Sequence, residues 1–383
     1  MSGVTGGSQP TKLLLSPPEV GTDERDLLVA AFDSNWVAPA GPDIDAFEEE
    51  LAALTGAPAV AALSSGTAGL ELALMAVGVA VDDDVLMGTL TFAASAFAAS
   101  HLGARPCFID CDDATWHMDL DLLEEELARR AVVGELPAAV VSVDLYGSVA
   151  DGVRCSEICA TYDVPMVCDA AEAIGARRDG THAGRHGRVG ILSFNGNKLV
   201  TTGGGGAIFS DDVGIVRRAR YLSTQARQPV PWYEHEDIGF NFRMGNLNAA
   251  VGRGQLRTLP ERIEERHRVR RRYQEHLQPA GVTFQHVPEG VEPNYWLTTA
   301  ALDTTMGPQP TDALAALREA GIEARFGFKP MHLQPVYLTN PVVRGAVAAE
   351  LFARSLSLPS GSRLTDADVD RVCEVLIGAG PRD

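Results

Sequence analysis

Basic residues are scarce in this chain: 32 Lys and Arg stand against 51 Asp and Glu, a net charge of -19 over 383 residues. Binding to phosphate backbones calls for a basic surface, so nucleic acid is excluded as a main partner. The one basic run, Arg266 to Arg272, is interleaved with Glu261, Glu264, Glu265 and Glu275 at helical spacing and reads as a solvated, salt-bridged helix face. Cysteine has no pattern that carries chemistry. The six residues at 107, 111, 155, 159, 168 and 373 include no C-x-x-C, and no nearby histidine completes a zinc set with Cys155 and Cys159. The expectation is a reduced, cytoplasmic protein without a metal. Met1 to Lys12 lacks the paired basic and apolar regions of a secretion signal and is expected to be a flexible tail. Long apolar runs are missing too. Val85 to Ala104 has no Lys, Arg, Asp or Glu, but small residues dominate it, so a buried strand and a buried helix fit better than a membrane span of about 20 residues.

What is present is ordinary globular material, 45% hydrophobic and 22% charged, in a chain long enough for two domains. Short apolar runs alternate with helical segments. Strands are expected near Val60 to Leu63, Val85 to Gly88, Pro106 to Asp110, Ala138 to Val143, Met166 to Asp169, Ile191 to Phe194 and Ala207 to Ser210. Helices are expected between them, after an N-terminal helical layer over Glu24 to Phe32 and Ile44 to Leu54. This alternation predicts an α/β fold with a mostly parallel sheet covered on both faces. One long helix, Asn246 to Leu277, is expected to kink near Pro260 and lead to a smaller domain. Thr311 is a candidate cap for the helix that follows, and Asp366 to Ile377 is expected to close the chain. The division predicted is a tail over residues 1–12, a large domain over 13–255 and a small C-terminal domain with its linking helix over 256–383.

Four features carry chemistry. Ser64-Ser65-Gly66-Thr67-Ala68 stands at a strand-to-helix junction, where free amides and the positive helix end suit an anion; it also suits a simple capped helix start. Asp169 ends a strand at the edge where such sheets bind ligands, and its alternative role is a cap. Phe92 is placed either to stack on a flat ring or to fill core. Lys198, in Ser193-Phe194-Asn195-Gly196-Asn197-Lys198 before the glycine run 203–206, is either a solvated lysine or a desolvated, nucleophilic amine able to form an imine. Together, a phosphate site, a strand-end acid, an aromatic face and a sheltered lysine are the set that pyridoxal 5'-phosphate requires.

The ordered stretches SSGTA (64–68), TF (91–92), DAAEAIGA (169–176), SFNGNK (193–198), GFNFRMGNLNAAVGRGQL (239–256) and KPMHLQPVY (329–337) closely resemble the DegT/DnrJ/EryC1/StrS sugar aminotransferase family, over nearly the whole chain. The resemblance implies the type I, aspartate aminotransferase-like fold of pyridoxal-phosphate enzymes, with a seven-stranded, mostly parallel sheet in the large domain and a small α+β C-terminal domain. It implies that Lys198 holds the cofactor as an imine, that Asp169 pairs with the pyridine nitrogen, and that Glu172 sits near the ring hydroxyl where many relatives have glutamine. Gly66, Thr67 and Ser193 would bind the phosphate, Asn241 would reach the phosphate of a neighbouring subunit, and Phe92 would lie over the ring. Lys329 and His332 would face the nucleotide sugar, unless they are solvated and structural respectively; Arg243 would bind a substrate carboxylate or diphosphate, or make an interface ion pair. The implied reaction moves an amino group from L-glutamate, through pyridoxamine 5'-phosphate, to C4 of a dTDP- or UDP-linked 4-keto-6-deoxyhexose in a homodimer. A GDP-linked sugar and amination at C3 are the enzymatic rivals. Dehydrating relatives replace the lysine with histidine, which Lys198 argues against, and a non-enzymatic regulator would need a basic DNA-reading segment that is not present.

Overall fold

The computed structural model describes residues 12–305 and 307–379, so the expected tail lies outside the described residues except for Lys12. Seven strands build the large sheet in the spatial order Ala59–Leu63, Gly206–Ser210, Val189–Ser193, Met166–Asp169, Ala139–Val143, Asp84–Gly88, Arg105–Ile109. Gly206–Ser210 alone runs against its neighbours. Beyond the expected seven, an eighth position is filled by the two-residue strand Val342–Val343, parallel to Arg105–Ile109 with Val342 opposite Phe108. Parallel neighbours need crossover connections, and helices supply them. Alternate residues point to opposite faces. Val85, Met87 and Val141 pack with the helices Gly66–Ala76, Ala93–His101 and Val213–Ser223, whereas Leu86, Val140 and Cys168 pack with Leu120–Val133 and Gly152–Thr161. All six cysteines are buried free thiols.

Local chemistry sets the helix ends. Asp119 accepts hydrogen bonds from the amides of Asp121 and Leu122 to start Leu120–Val133, and Gly134, at φ 73°, ends it in the left-handed conformation that glycine adopts without strain. Two expectations need correction here. The helix predicted as one kinked rod over 246–277 is two, Asn246–Arg257 and Leu259–Leu277, because Pro260 falls in a first turn, where its missing N–H costs nothing. Thr311 does not cap the helix Pro310–Glu319; Gln309 holds that position, with Pro310 first in the helix.

The C-terminal layer is an antiparallel sheet ordered Thr283–Phe284, Thr298–Ala301, Ser355–Leu358, Arg325–Phe326. Its core is closed by Leu259–Leu277, Pro310–Glu319 and Asp366–Gly378. The basic run is only partly the solvated face expected. Arg268, Arg271 and Arg272 do pair with Glu265, Glu264 and Asp370, but Arg266 and Arg270 are buried, because residues four apart share the helix face turned inward. No helix among the described residues is long and apolar enough to cross a membrane.

One buried histidine ties the fold to pH. The amide of Gly175 donates to Nε2 of His182 at 2.9 Å, and Nδ1 meets the Ala183 carbonyl at 2.7 Å, so both ring nitrogens are satisfied only when the ring is neutral. Burial, reinforced by Arg177 and Arg185, pushes its pKa down to about 4 from 6.5. A depressed histidine contributes stability that is present above the unfolded pKa and is lost as pH falls toward the folded one. Relative to His182→Gln, the protein should therefore lose up to about 3 kcal/mol of unfolding free energy between pH 6.5 and 4. Urea unfolding of both proteins across that range measures this difference, and parallel stability curves would refute it.

Candidate active site

The site lies beyond the C-terminal ends of the parallel strands, the edge at which open α/β sheets bind ligands. Ala59–Leu63 runs into Ser64 and Ser65, Met166–Asp169 ends on its acid, and Val189–Ser193 leads to the lysine loop. A cavity of about 590 Å³ opens there, lined by Ser65, Thr67, Asp169, Glu172, Ser193 and Lys198 among others.

Ser65 caps the helix Gly66–Ala76 by accepting from the Ala68 amide at 3.0 Å. The amides of Gly66 and Thr67 open that helix, where no helical carbonyl can reach them, and they meet no acceptor among the described residues, so they are placed to bind an anion. Gly66 is a true close approach: a Cβ there would come 2.9 Å from Cβ of Ser193. Asp169 is buried with both oxygens engaged, Oδ2 accepting from the Ser95 hydroxyl at 2.7 Å and Oδ1 from the Ala171 amide at 3.1 Å. It caps a turn, since no helix follows it. Burial raises its pKa, opposed by the Ser95 and Ala171 hydrogen bonds and by Lys198.

Lys198 is not solvated. Its Nζ stands 3.5 Å from Oε1 of Glu172 and 3.7 Å from the centre of the Trp296 ring. Burial strips water from the ammonium and lowers its pKa, against the pull of Glu172 and Asp169, a shift in the direction that favours the nucleophilic free amine. Glu172 is raised by burial, and Lys198 and the Tyr146 amide, which donates to its Oε2 at 2.7 Å, resist the rise. Phe92 lies on the cavity wall, its ring centre 5.9 Å from that of Phe328.

The other predicted residues stand elsewhere. Asn241 is exposed, accepts from Gln225 Nε2 at 3.1 Å and is not among the described residues of this cavity wall. Arg243 turns inward, its guanidinium 2.5 Å from Oε1 of Glu48 and 2.8 Å from the Ala62 carbonyl. Lys329 is half-buried, with its carbonyl accepting from Gln334. His332 joins Nδ1 to the Thr89 hydroxyl at 2.7 Å, and burial lowers its pKa. Sequence reasoning missed Ser95, Trp296 and Arg325. Ser95 follows Thr91 by one helical turn, and their hydroxyls meet at 2.8 Å, a spacing visible in the sequence. Arg325 and Trp296 reach the cavity only through tertiary folding.

These residues fit pyridoxal phosphate. The glycine cradle and free helix amides suit a phosphate, the fixed buried carboxylate suits a protonated ring nitrogen, and the dry amine suits an aldehyde.

Comparison with known proteins gives the same reading. The model of the DegT/DnrJ/EryC1/StrS aminotransferase family matches residues 18–377. The chain is 42% identical to EpsN of Bacillus subtilis (strain 168), a protein named provisionally as a pyridoxal phosphate-dependent aminotransferase, over 96% of this chain and 95% of that one. It is 33% identical to the GDP-perosamine synthase of Caulobacter vibrioides, over 95% of this chain and 97% of that protein. Among solved structures it is similar to DesI, crystallised in the presence of its TDP-sugar product, with a TM-score of 0.87 and 30% identity, covering 98% of this chain and 94% of that one.

Proposed function

We propose a nucleotide-sugar amination for this chain, which belongs to the DegT/DnrJ/EryC1/StrS aminotransferase family of pyridoxal-phosphate enzymes. The amino group comes from L-glutamate and goes to C4 of a dTDP- or UDP-linked 4-keto-6-deoxyhexose. The observation that carries the chemistry is the buried Lys198 amine beside Glu172, facing the cavity that Asp169 and the 65–67 turn also line. The choice of C4 is supported by 30% identity, over 94% of this chain, to a protein of Saccharopolyspora spinosa named dTDP-4-dehydro-2,3,6-trideoxy-D-glucose 4-aminotransferase.

When bound, pyridoxal phosphate supplies an electron-accepting ring that stabilises the charge left on carbon when a proton departs. Asp169 would hold the ring nitrogen, the amides of Gly66 and Thr67 with the Ser193 hydroxyl would hold the phosphate, and Lys198 would hold the aldehyde carbon. Once displaced by the donor, Lys198 acts as general base at the glutamate Cα and as general acid after it. Burial lowers its pKa, which favours the free amine over a solvated lysine's ammonium. Glu172, 3.5 Å from the amine, is the acid placed to exchange a proton with it as the site closes on substrate. After 2-oxoglutarate leaves, the same groups run the proton movement in reverse at the sugar carbon. Arg325, the second cation on the cavity wall, meets the anionic groups of the substrates. We read the enzyme as a homodimer in which Asn241 serves the neighbouring site; its exposure, outside its own cavity, supports that arrangement.

The similarity to a GDP-perosamine synthase favours a GDP-linked sugar as the second reading. Adding L-glutamate to the purified protein should bleach its visible imine band, and one of the dTDP-, UDP- or GDP-4-keto-6-deoxyhexoses should restore the band while gaining an amine. A protein that stays colourless with added pyridoxal phosphate, or that aminates none of the panel, would overturn the proposal.

A further inference from the structure

Lys198 is held by more than the large sheet. Its backbone loop is tied to the C-terminal layer through the carbonyl of Asn197, which accepts from the Trp296 indole Nε1 at 2.7 Å and from the Ser16 hydroxyl at 2.9 Å. The same indole turns its face to the Lys198 ammonium, 3.7 Å from ring centre to Nζ. We propose that Trp296 is a positioning residue for Lys198, fixing the lysine's backbone through its N–H and seating the charged amine on its ring. The inference rests on Lys198 being the imine-forming lysine.

The groups around Trp296 show that its placement is enforced. Its amide donates to Asn294 Oδ1 at 2.8 Å, and Asn294 Nδ2 donates to the carbonyls of Glu172 and Ile174 at 3.0 and 2.9 Å. Its carbonyl accepts from Arg266, a fully enclosed guanidinium whose Nε finds no partner among the described residues. Arg266 also reaches Ser16, the other donor to Asn197. Glu172, Asn294, Trp296 and the lysine loop therefore form a closed ring of contacts around one amine. Tyr295, just before the tryptophan, sits at φ 47°, a left-handed conformation costly for an aromatic residue. Strain of that kind persists where surrounding contacts over-determine it, and here it aims the next side chain into the cavity.

Two substitutions separate the two contacts. Trp296→Leu keeps the pocket apolar but removes ring face and N–H together; Trp296→Phe keeps a ring and removes only the N–H. Acetylation of Lys198 in protein freed of pyridoxal phosphate, followed by mass spectrometry from pH 6 to 11, reports the amine's ionisation directly. Losing the ring face removes stabilisation of the ammonium, so the Leu variant should titrate about half to one pH unit lower than wild type, with Phe restoring the midpoint. Both variants should form the imine band more slowly than wild type, since both free the Asn197 carbonyl. Melting curves confirm that each variant is folded. Folded Leu and Phe variants that share the wild-type midpoint and rate of band formation would overturn the inference. A wild-type protein that forms no Lys198-dependent band would overturn instead the lysine assignment beneath it.

Discussion

Replacing Lys198 with alanine should lower glutamate-dependent amination by at least about 10⁴-fold, because one change removes both the covalent anchor and the acid–base group. The alanine leaves space beside Glu172 and Trp296, within contact distance of the lost amine. Glu172 then keeps its burial without its cation, so its carboxyl should stay protonated to higher pH than in wild type. Folding should survive, since a neutral carboxylic acid needs no buried partner charge and still accepts from the Tyr146 amide. Single-turnover rates with glutamate, and partial rescue by added methylamine, measure the effect. A Lys198→Ala enzyme working within tenfold of wild type would remove the lysine from the mechanism.

Asp169→Asn carries the second large expectation, a loss of roughly 10² to 10³-fold in turnover, the scale on which removal of one buried electrostatic partner usually acts. The substitution is nearly isosteric and tests charge more than shape. Asparagine can still accept from the Ala171 amide through its oxygen, leaving its NH₂ toward Ser95. The Ser95 hydroxyl can turn to accept that donor, because its contact with Thr91 works with either hydroxyl donating. The melting temperature should therefore hold while kcat falls and the visible band shifts or weakens. An Asp169→Asn enzyme within threefold of wild type would refute the pairing of this acid with the ring nitrogen.

Much of this arrangement was legible in the sequence. The alternating runs place the seven strands within a residue or two, because each parallel strand is apolar on both faces and each crossover must be a helix. Lys198, Asp169 and the 64–68 junction stood out at strand ends and turns, but each had a plain structural alternative that only their order with the other motifs weighed against. What escaped was long-range. Ser355–Leu358, the third strand across the C-terminal sheet, is four residues of alternating Ser and Leu, too short to show a period. Trp296 belongs to the site only because Asn294, two residues before it, and Arg266, on the helix Leu259–Leu277, hold it there. The burial of Arg266 and Arg270 could not be read from a run rich in paired acids, since helical spacing shows which residues share a face and not which face turns inward.

The strand Val342–Val343 bears on how the chain is made. Arg105–Ile109 leaves the ribosome more than two hundred residues before its outer neighbour, and until then the edge it forms is open for pairing with other chains. The late residues seal it with two backbone bonds, Phe108 to Pro341 and Asp110 to Val343, and the Asp110 carboxylate then gathers the amides of Gly345, Val347 and Ala348 at the start of the helix Ala346–Arg354. Completion of the large sheet thus waits on residues made more than two hundred positions later, so nascent chains carry an unprotected flank throughout that interval.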